Sequence, residues 1–187
     1  MFLSISKSKV LNTLLPTNIE ISTAYEQVGD LIHVNLSESL LPYKYIIGQV
    51  LLDKVPSCRL VINKTGKIDT TFRTFPMEVI AGQGSTEVTI HEEGCIYQFD
   101  YQKVYWNSRL HHEHTRLVNT FHKDDIVADM FCGVGPFVIP AAKKGCICYA
   151  NDLNPFCYQF LMNNLLINKV LFIRYSYWLG SNKSTFI

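Results

Sequence analysis

The sequence holds six cysteines in 187 residues but no Cys-x-x-Cys pair. A zinc ribbon therefore has no ligand frame, and nothing in the spacing supports a disulfide scaffold. Cys58, Cys95, Cys132, Cys146, Cys148 and Cys157 sit mostly in apolar runs and read as reduced, intracellular thiols. Charge of one sign is also lacking. With 17 Lys plus Arg against 16 Asp plus Glu, a net charge of +1 gives no overall basic field of the kind a purely electrostatic nucleic-acid binder uses. A local basic face is still compatible with that total. No apolar run is long and clean enough for a membrane span: the nearest, Leu153 to Asn168, is uncharged but interrupted by Asn154, Asn163 and Asn164. The start carries Lys7 and Lys9 without Arg, a thin basis for an organellar leader. Internal repeats and low-complexity tracts are absent.

What is present is apolar. Hydrophobic residues make up 48%, with 2 Trp, 10 Tyr and 11 Phe, which excludes a disordered chain. The length suits one domain or two small ones. Short runs at 31–36, 59–62, 78–80, 87–90 and 95–100 alternate with Gly66, Gly82, Gly84 and Gly94 at the breaks, predicting antiparallel strands and hairpins. Between the first two runs, Pro42 to Lys54 has helical spacing with a proline near its start. The rhythm then changes. Ser108 to Phe121 reads as a helix, 126–131 as a buried strand, Pro136 to Lys144 as a short helix closed by Gly145, 146–151 as a strand and Asn154 to Lys169 as a helix. That order predicts a parallel, doubly wound sheet. The expected domains are an N-terminal segment 1–24, a mixed α+β domain 25–107, and a Rossmann-like α/β domain 108–187.

The sharpest local feature is the run from Asp129 to Phe137, with Gly133 and Gly135 between a strand and a helix. Glycines there let backbone approach a ligand at a helix start. Asp152 follows Gly133 by nineteen residues, directly after the next strand, where an acid can accept hydrogen bonds from both ribose hydroxyls of an adenosine ligand. The third glycine of a dinucleotide fingerprint is replaced by bulky residues, which disfavours a pyrophosphate. S-adenosylmethionine, an adenosine without phosphates, fits better. The plainer alternative is a packing turn with Asp152 as a helix cap.

These residues carry a resemblance. DMFCGVGPFVIPAAKKGC, YANDLNP, Asn163-Asn164 and Asn168-Lys169-Val170 resemble the archaeal/eukaryotic-type tRNA (guanine-37, N1)-methyltransferases, as do HVNLSESLLPYKYIIGQVLLDK, Val61 to Lys64, Phe72-Arg73 with MEVIAG, and FDYQKVYWNSRL. The likeness spans roughly residues 25 to 170. It implies a class I S-adenosylmethionine-dependent methyltransferase sheet preceded by a smaller mixed domain. The partner it implies is tRNA with guanine at position 37, with no membrane, no metal and a monomeric chain. The compartment it implies is cytoplasm, nucleus or mitochondrial matrix.

Methylating guanine N1 needs a base for its proton and a cation for the charge developing on O6. The resemblance places the base at Glu113, the cation at Arg73 and a guanine-pocket aromatic at Tyr105. It places His114 and Leu153 at the methyl-donor pocket with Asp129, Gly133, Gly135 and Asp152, and Arg109 near RNA phosphate or ordering the Glu113 segment. Each has a structural alternative: Glu113 as a first-turn acid favouring the helix dipole, Arg73 as a strand-edge charge, Tyr105 as a core aromatic. A metal cluster of His111, His112 and His114 with Glu113 lacks completing ligands, and Cys146 and Cys148 read as buried thiols. Two departures stand out. Asn107-Ser108-Arg109-Leu110 replaces the family's Asn-Pro-Arg-Leu, loosening the turn that carries Glu113. The Asn-Pro-Pro-Tyr-type loop is absent, and so are the strands beyond 177 and the N-terminal domain that grips the outer corner of tRNA, so a truncated chain with weak cofactor binding and impaired activity is expected. The rival functions are the aminocarboxypropyl transferase of wybutosine synthesis and a non-catalytic tRNA-binding remnant.

Overall fold

The computed structural model describes residues 5–20, 24–66, 71–170 and 174–177. The chain gathers into two compact units, one of Met1–Asp69 with Phe75–Val88 and the other of Thr70–Thr74 with Thr89–Ile187. This division falls earlier than the change of rhythm at residue 108.

In the first unit, Ser6 caps helix α1 (Lys7–Leu14) by accepting the Lys9 N–H. Strands β1 (Glu26–Val28) and β2 (Leu31–Val34) form a tight antiparallel pair. Pro42 opens a 3-10 turn that runs into helix α2 (Lys44–Lys54), followed by β3 (Leu60–Lys64) and β4 (Met77–Gly82). The sheet order is β1-β2-β3-β4. The expectation of antiparallel strands throughout is corrected at its centre: β2 and β3 pair parallel, Leu31 opposite Leu60 and Val34 opposite Asn63. The cause is α2 itself, because a helix between two strands returns the chain in the same direction, as a hairpin turn cannot. Leu11, Ile32, Val34, Leu40, Ile47, Leu51, Val61 and Ile80 form the core under the two helices.

In the second unit, β5 (Glu87–Glu92) and β6 (Cys95–Asp100) form a two-stranded sheet, its turn made by Glu93 and Gly94, both with positive φ. A 3-10 turn at Ser108–Leu110 leads into α3 (His111–Asn119). The missing proline there is compensated: the Asn107 side chain accepts the Arg109 N–H and caps the turn. Strand β7 (Ile126–Asp129), helix α4 (Val138–Lys143), strand β8 (Ile147–Asp152), helix α5 (Pro155–Ile167) and strand β9 (Arg174–Tyr177) complete the unit. The sheet β7-β8-β9 is parallel throughout, as expected from the alternation of strands and helices. Asn154 caps α5, with Pro155 in its first turn.

Asn164 of α5 and Asn168, which caps its C-terminus, bond the edge of β6 as a strand neighbour would. Asn164, fully buried, accepts the Gln98 N–H at 2.8 Å and donates to the Val134 carbonyl at 3.2 Å. One turn on, Asn168 accepts from Ile96 N at 2.9 Å and donates to Ile96 O at 2.6 Å. These bonds satisfy backbone groups that burial would otherwise leave costly, and they hold the β5–β6 hairpin to the helix behind the glycine turn. The expectation of a buried strand over 126–131 is corrected: β7 ends at Asp129 and is only partly covered, Ile126 being 72% exposed, and Phe131, beyond the strand, is 88% exposed. Among the described residues no helix is long and apolar enough to cross a membrane.

Candidate functional site

The carboxyl ends of β7 and β8 lie side by side, Asp129 opposite Ala150, and both strands leave an acid at or beside that edge. In an open parallel sheet this edge is where ligands sit. The chain leaving β7 makes a tight turn, with Cys132 N–H bonded to Asn151 O at 2.9 Å and Gly135 N–H to Cys132 O at 2.9 Å. Gly133 has φ 52° and Gly135 φ 101°, a backbone region L side chains rarely adopt. Their surroundings differ. A Cβ on Gly135 would stand 2.7 Å from side-chain carbons of Ile139 and Leu161, whereas a Cβ on Gly133 would meet nothing within 4 Å. Gly135 thus serves packing of the turn on α4 and α5, and Gly133 borders open space.

Asp152 ties the two strand ends together. Its Oδ2 accepts the Gly133 N–H at 2.8 Å and its Oδ1 the Asn154 N–H at 2.9 Å. The helix cap is Asn154, so the capping alternative for Asp152 fails. The carboxylate also faces the Cys157 thiol and, with about four acceptor sites in all, retains capacity for a ligand hydroxyl. Asp129 uses Oδ1 to accept the Phe131 N–H at 3.1 Å, and its Oδ2 is buried without a hydrogen-bond partner among the described residues. Burial and then the nearby Asp152 charge push the Asp129 carboxyl above its ordinary range. Leu153, half exposed, follows Asp152 at the rim. Sequence reasoning brought Asp129, Gly133, Gly135, Asp152 and Leu153 together, and the fold places all five on this edge.

His114 is buried on α3, where its Nδ1 lies 2.6 Å from Glu92 Oε1. Its ring stands edge-on to Phe137, the last residue of the glycine turn, at 4.9 Å, and to Trp106 at 5.9 Å. Glu92 was not singled out in the sequence, and Phe137 was named only as the end of the glycine run. Glu92 lies twenty-two residues before His114, so no local spacing announces it.

Glu113 points the other way on the helix and is exposed. Arg116 grips it in a two-pronged ion pair, Nε to Oε2 and Nη2 to Oε1, both at 2.7 Å. The Arg116 guanidinium holds the Glu113 carboxyl below its ordinary value. Arg73 has φ 58°, and its guanidinium lies 5.5 Å from the centre of the Tyr105 ring, a cation–π pair formed by residues 32 positions apart. Tyr105 is 38% exposed, so it is not the core aromatic of the alternative reading, and its hydroxyl accepts from Asn107 Nδ2 at 3.4 Å. Arg109 is exposed in the 3-10 turn before α3. Cys146 and Cys148 are buried, as expected, and burial pushes the Cys148 thiol up to about 12. Among the described residues no three His, Cys, Asp or Glu side chains gather as a metal would require.

A parallel strand, a glycine turn and a helix, with the turn bonded to an acid at the tip of the neighbouring strand, define the first half of a class I methyltransferase-type sheet. Comparison with known proteins narrows the class. Residues 8–86 match the family model of the TYW2 N-terminal domain, and residues 89–175 that of the TRM5/TYW2 methyltransferase domain. The chain belongs to the TRM5/TYW2 methyltransferase family. It is 51% identical over 166 residues to a tRNA (guanine(37)-N(1))-methyltransferase of Dictyostelium discoideum, a match covering 88% of this chain and 36% of that protein. Its fold matches a Trm5 solved in complex with tRNALeu at a TM-score of 0.80 and 30% identity, over 88% of this chain and 50% of that one. It matches Methanocaldococcus jannaschii Trm5 in complex with adenosine at a TM-score of 0.72 and 30% identity, over 88% and 49% of the two chains. The chain thus spans little more than a third of the Dictyostelium relative and about half of the solved Trm5 chains.

Proposed function

We propose that this chain takes part in methyl transfer from S-adenosylmethionine to N1 of guanine 37 in tRNA, and that its glycine turn is the adenosine seat. The observation that carries the reading is the bond between Asp152 and the Gly133 N–H beside an unfilled space. The donor set suits adenosine: a carboxylate at the strand tip to accept ribose hydroxyls, an apolar Leu153 at the rim, and backbone that can approach closely at Gly133. When bound, S-adenosylmethionine supplies a methyl group activated by its sulfonium charge.

The chain's own residues supply the rest. Asp152 and Gly133 fix the ribose, with Asp129, Gly135 and His114 shaping the pocket. Arg73, steadied against Tyr105, offers a cation to the O6 of a guanine drawn out of its stack. Glu113 takes the N1 proton once its carboxylate is released from Arg116, a guanidinium that can pair with an RNA phosphate in its place. Arg109, on the same segment, meets RNA phosphate.

Support for guanine-37 methylation over aminocarboxypropyl transfer comes from the relatives at 45 to 52% identity, all named as the methyltransferase. Incubating the chain with S-adenosylmethionine and tRNA transcripts bearing G37 or A37, then weighing the nucleosides, tests it. A methyl-sized gain confined to G37 supports the reading. An aminocarboxypropyl-sized gain, or tRNA binding without product, favours one of the two rivals.

A further inference from the structure

We infer that Glu92 is a positioning residue, holding the His114 ring in one tautomer and one orientation against the glycine turn. This rests on the reading of that turn as the adenosine seat.

Glu92 is the last residue of β5 and only 8% exposed, an unusual place for a carboxylate unless a partner compensates it. Its partner is His114, 5% exposed, with Nδ1 2.6 Å from Glu92 Oε1. A carboxylate can only accept, so the short contact places a proton on Nδ1; in the neutral ring Nε2 is then the bare nitrogen. The same oxygen lies 3.5 Å from His111 Nδ1, one helical turn earlier, and His111 Nε2 lies 3.8 Å from Glu93 Oε1. Thr115 donates to Glu93 Oε1 at 2.8 Å. Adjacent carboxylates at the end of β5 therefore hold the first turn of α3, the turn that also carries Glu113.

The consequence passes to the site through His114. Its ring is wedged between Trp106 and Phe137, and Phe137 immediately precedes α4 after Gly135. Rotating the imidazole would displace Phe137 or open a gap beside it, in an interior that tolerates neither. The described bonds of Glu92 run to His114 and His111, not to the glycine turn. It acts by fixing a ring that packs on that turn, as a carboxylate behind a histidine does at other sites.

The test uses the full chain and the variants Glu92→Gln and Glu92→Asp. Long-range nitrogen–proton spectra of the His114 ring read the tautomer directly and need no ligand. Titration calorimetry with S-adenosylhomocysteine reads the pocket, and thermal unfolding reads stability. The wild type is expected to show a protonated Nδ1 and a bare Nε2. Glu92→Gln, whose amide can donate as well as accept, is expected to mix the tautomers and weaken the analogue about tenfold, the scale of one charge-assisted hydrogen bond. Glu92→Asp should restore the wild-type ring spectrum in part. A lower unfolding midpoint with ring spectrum and affinity unchanged would reduce Glu92 to a structural role and overturn the inference, as would a bare Nδ1 in the wild type. Failure of the wild type to bind S-adenosylhomocysteine would overturn the adenosine reading, while the ring spectrum still decides the assignment of Glu92.

Discussion

Asp152 and Gly133, nineteen residues apart, are joined by a 2.8 Å hydrogen bond from the glycine N–H to the carboxylate Oδ2. The bond makes turn and acid one unit, so the edge proposed as the adenosine seat is held in shape by the chain itself. Such preorganisation spares a binding reaction the cost of ordering the loop.

The two glycines of the turn should fail differently. Gly135→Ala forces a Cβ to within 2.7 Å of Ile139 and Leu161 and is expected to cost about 1–3 kcal/mol from overpacking, besides the strain of a left-handed backbone. Gly133→Ala meets open space and should cost about 1–2 kcal/mol from its positive φ alone. Yet Gly133→Ala should bind S-adenosylmethionine far more weakly than its remaining stability suggests, because the methyl group occupies the ligand's approach. Denaturant unfolding beside calorimetric titration of both variants checks the contrast.

Asp129 carries an opposed pair of effects. Its carboxyl is raised by burial and by Asp152, so the ionised form is disfavoured in the folded state. An acid with a raised folded-state value binds its proton more tightly folded than unfolded. The chain therefore loses stability as pH climbs from the ordinary aspartate range through that raised value, and the penalty persists at neutral pH. Asp129→Asn keeps an acceptor for the Phe131 N–H and removes the charge. Its unfolding midpoint is expected to rise at pH 7 and to approach the wild type in acid, while cofactor affinity falls. Midpoints measured across the pH range decide the sign.

The Glu113–Arg116 pair predicts a shift in pH dependence. Arg116 holds the Glu113 carboxyl low, so it stays ionised further into acid while the pair persists. Arg116→Ala should move the acidic limb of the kcat/KM profile, which reports the free protein where the pair is intact, upward toward the ordinary glutamate value. Stability should barely change, because both side chains are well exposed. Rates against pH for the two proteins provide the comparison.

Asn164 is the hinge of the hairpin's attachment. Asn164→Leu leaves the Gln98 N–H and the Val134 carbonyl without their partner and should cost about 2–4 kcal/mol. Unfolding of this variant, with exchange of the Gln98 amide, tests whether the side chain stands in for a strand.

Much of the second unit was legible because each signal was local. An apolar run, paired glycines, the Asn154-Pro155 start and the next apolar run each fix one element, and their order fixes the parallel sheet. The parallel pairing of β2 with β3 was missed because period-2 runs say nothing of strand direction, and the helix that dictates it had to be read as a crossover. Arg116 was within reach, one turn after Glu113, but its spacing predicts a surface pair and no more. Glu92 with His114, and Arg73 with Tyr105, join positions 22 and 32 residues apart. No spacing encodes such contacts, which arise only when the hairpin and α3 fold together or Arg73 meets the chain after β6.

The most direct test of the account is calorimetric titration of the wild-type chain and Asp152→Ala with S-adenosylmethionine. Saturable one-to-one binding by the wild type, lost or weakened at least tenfold in a folded Asp152→Ala, is the predicted result. Equal affinity in the two proteins would contradict it, since the strand-tip carboxylate would then have no part in holding the ribose.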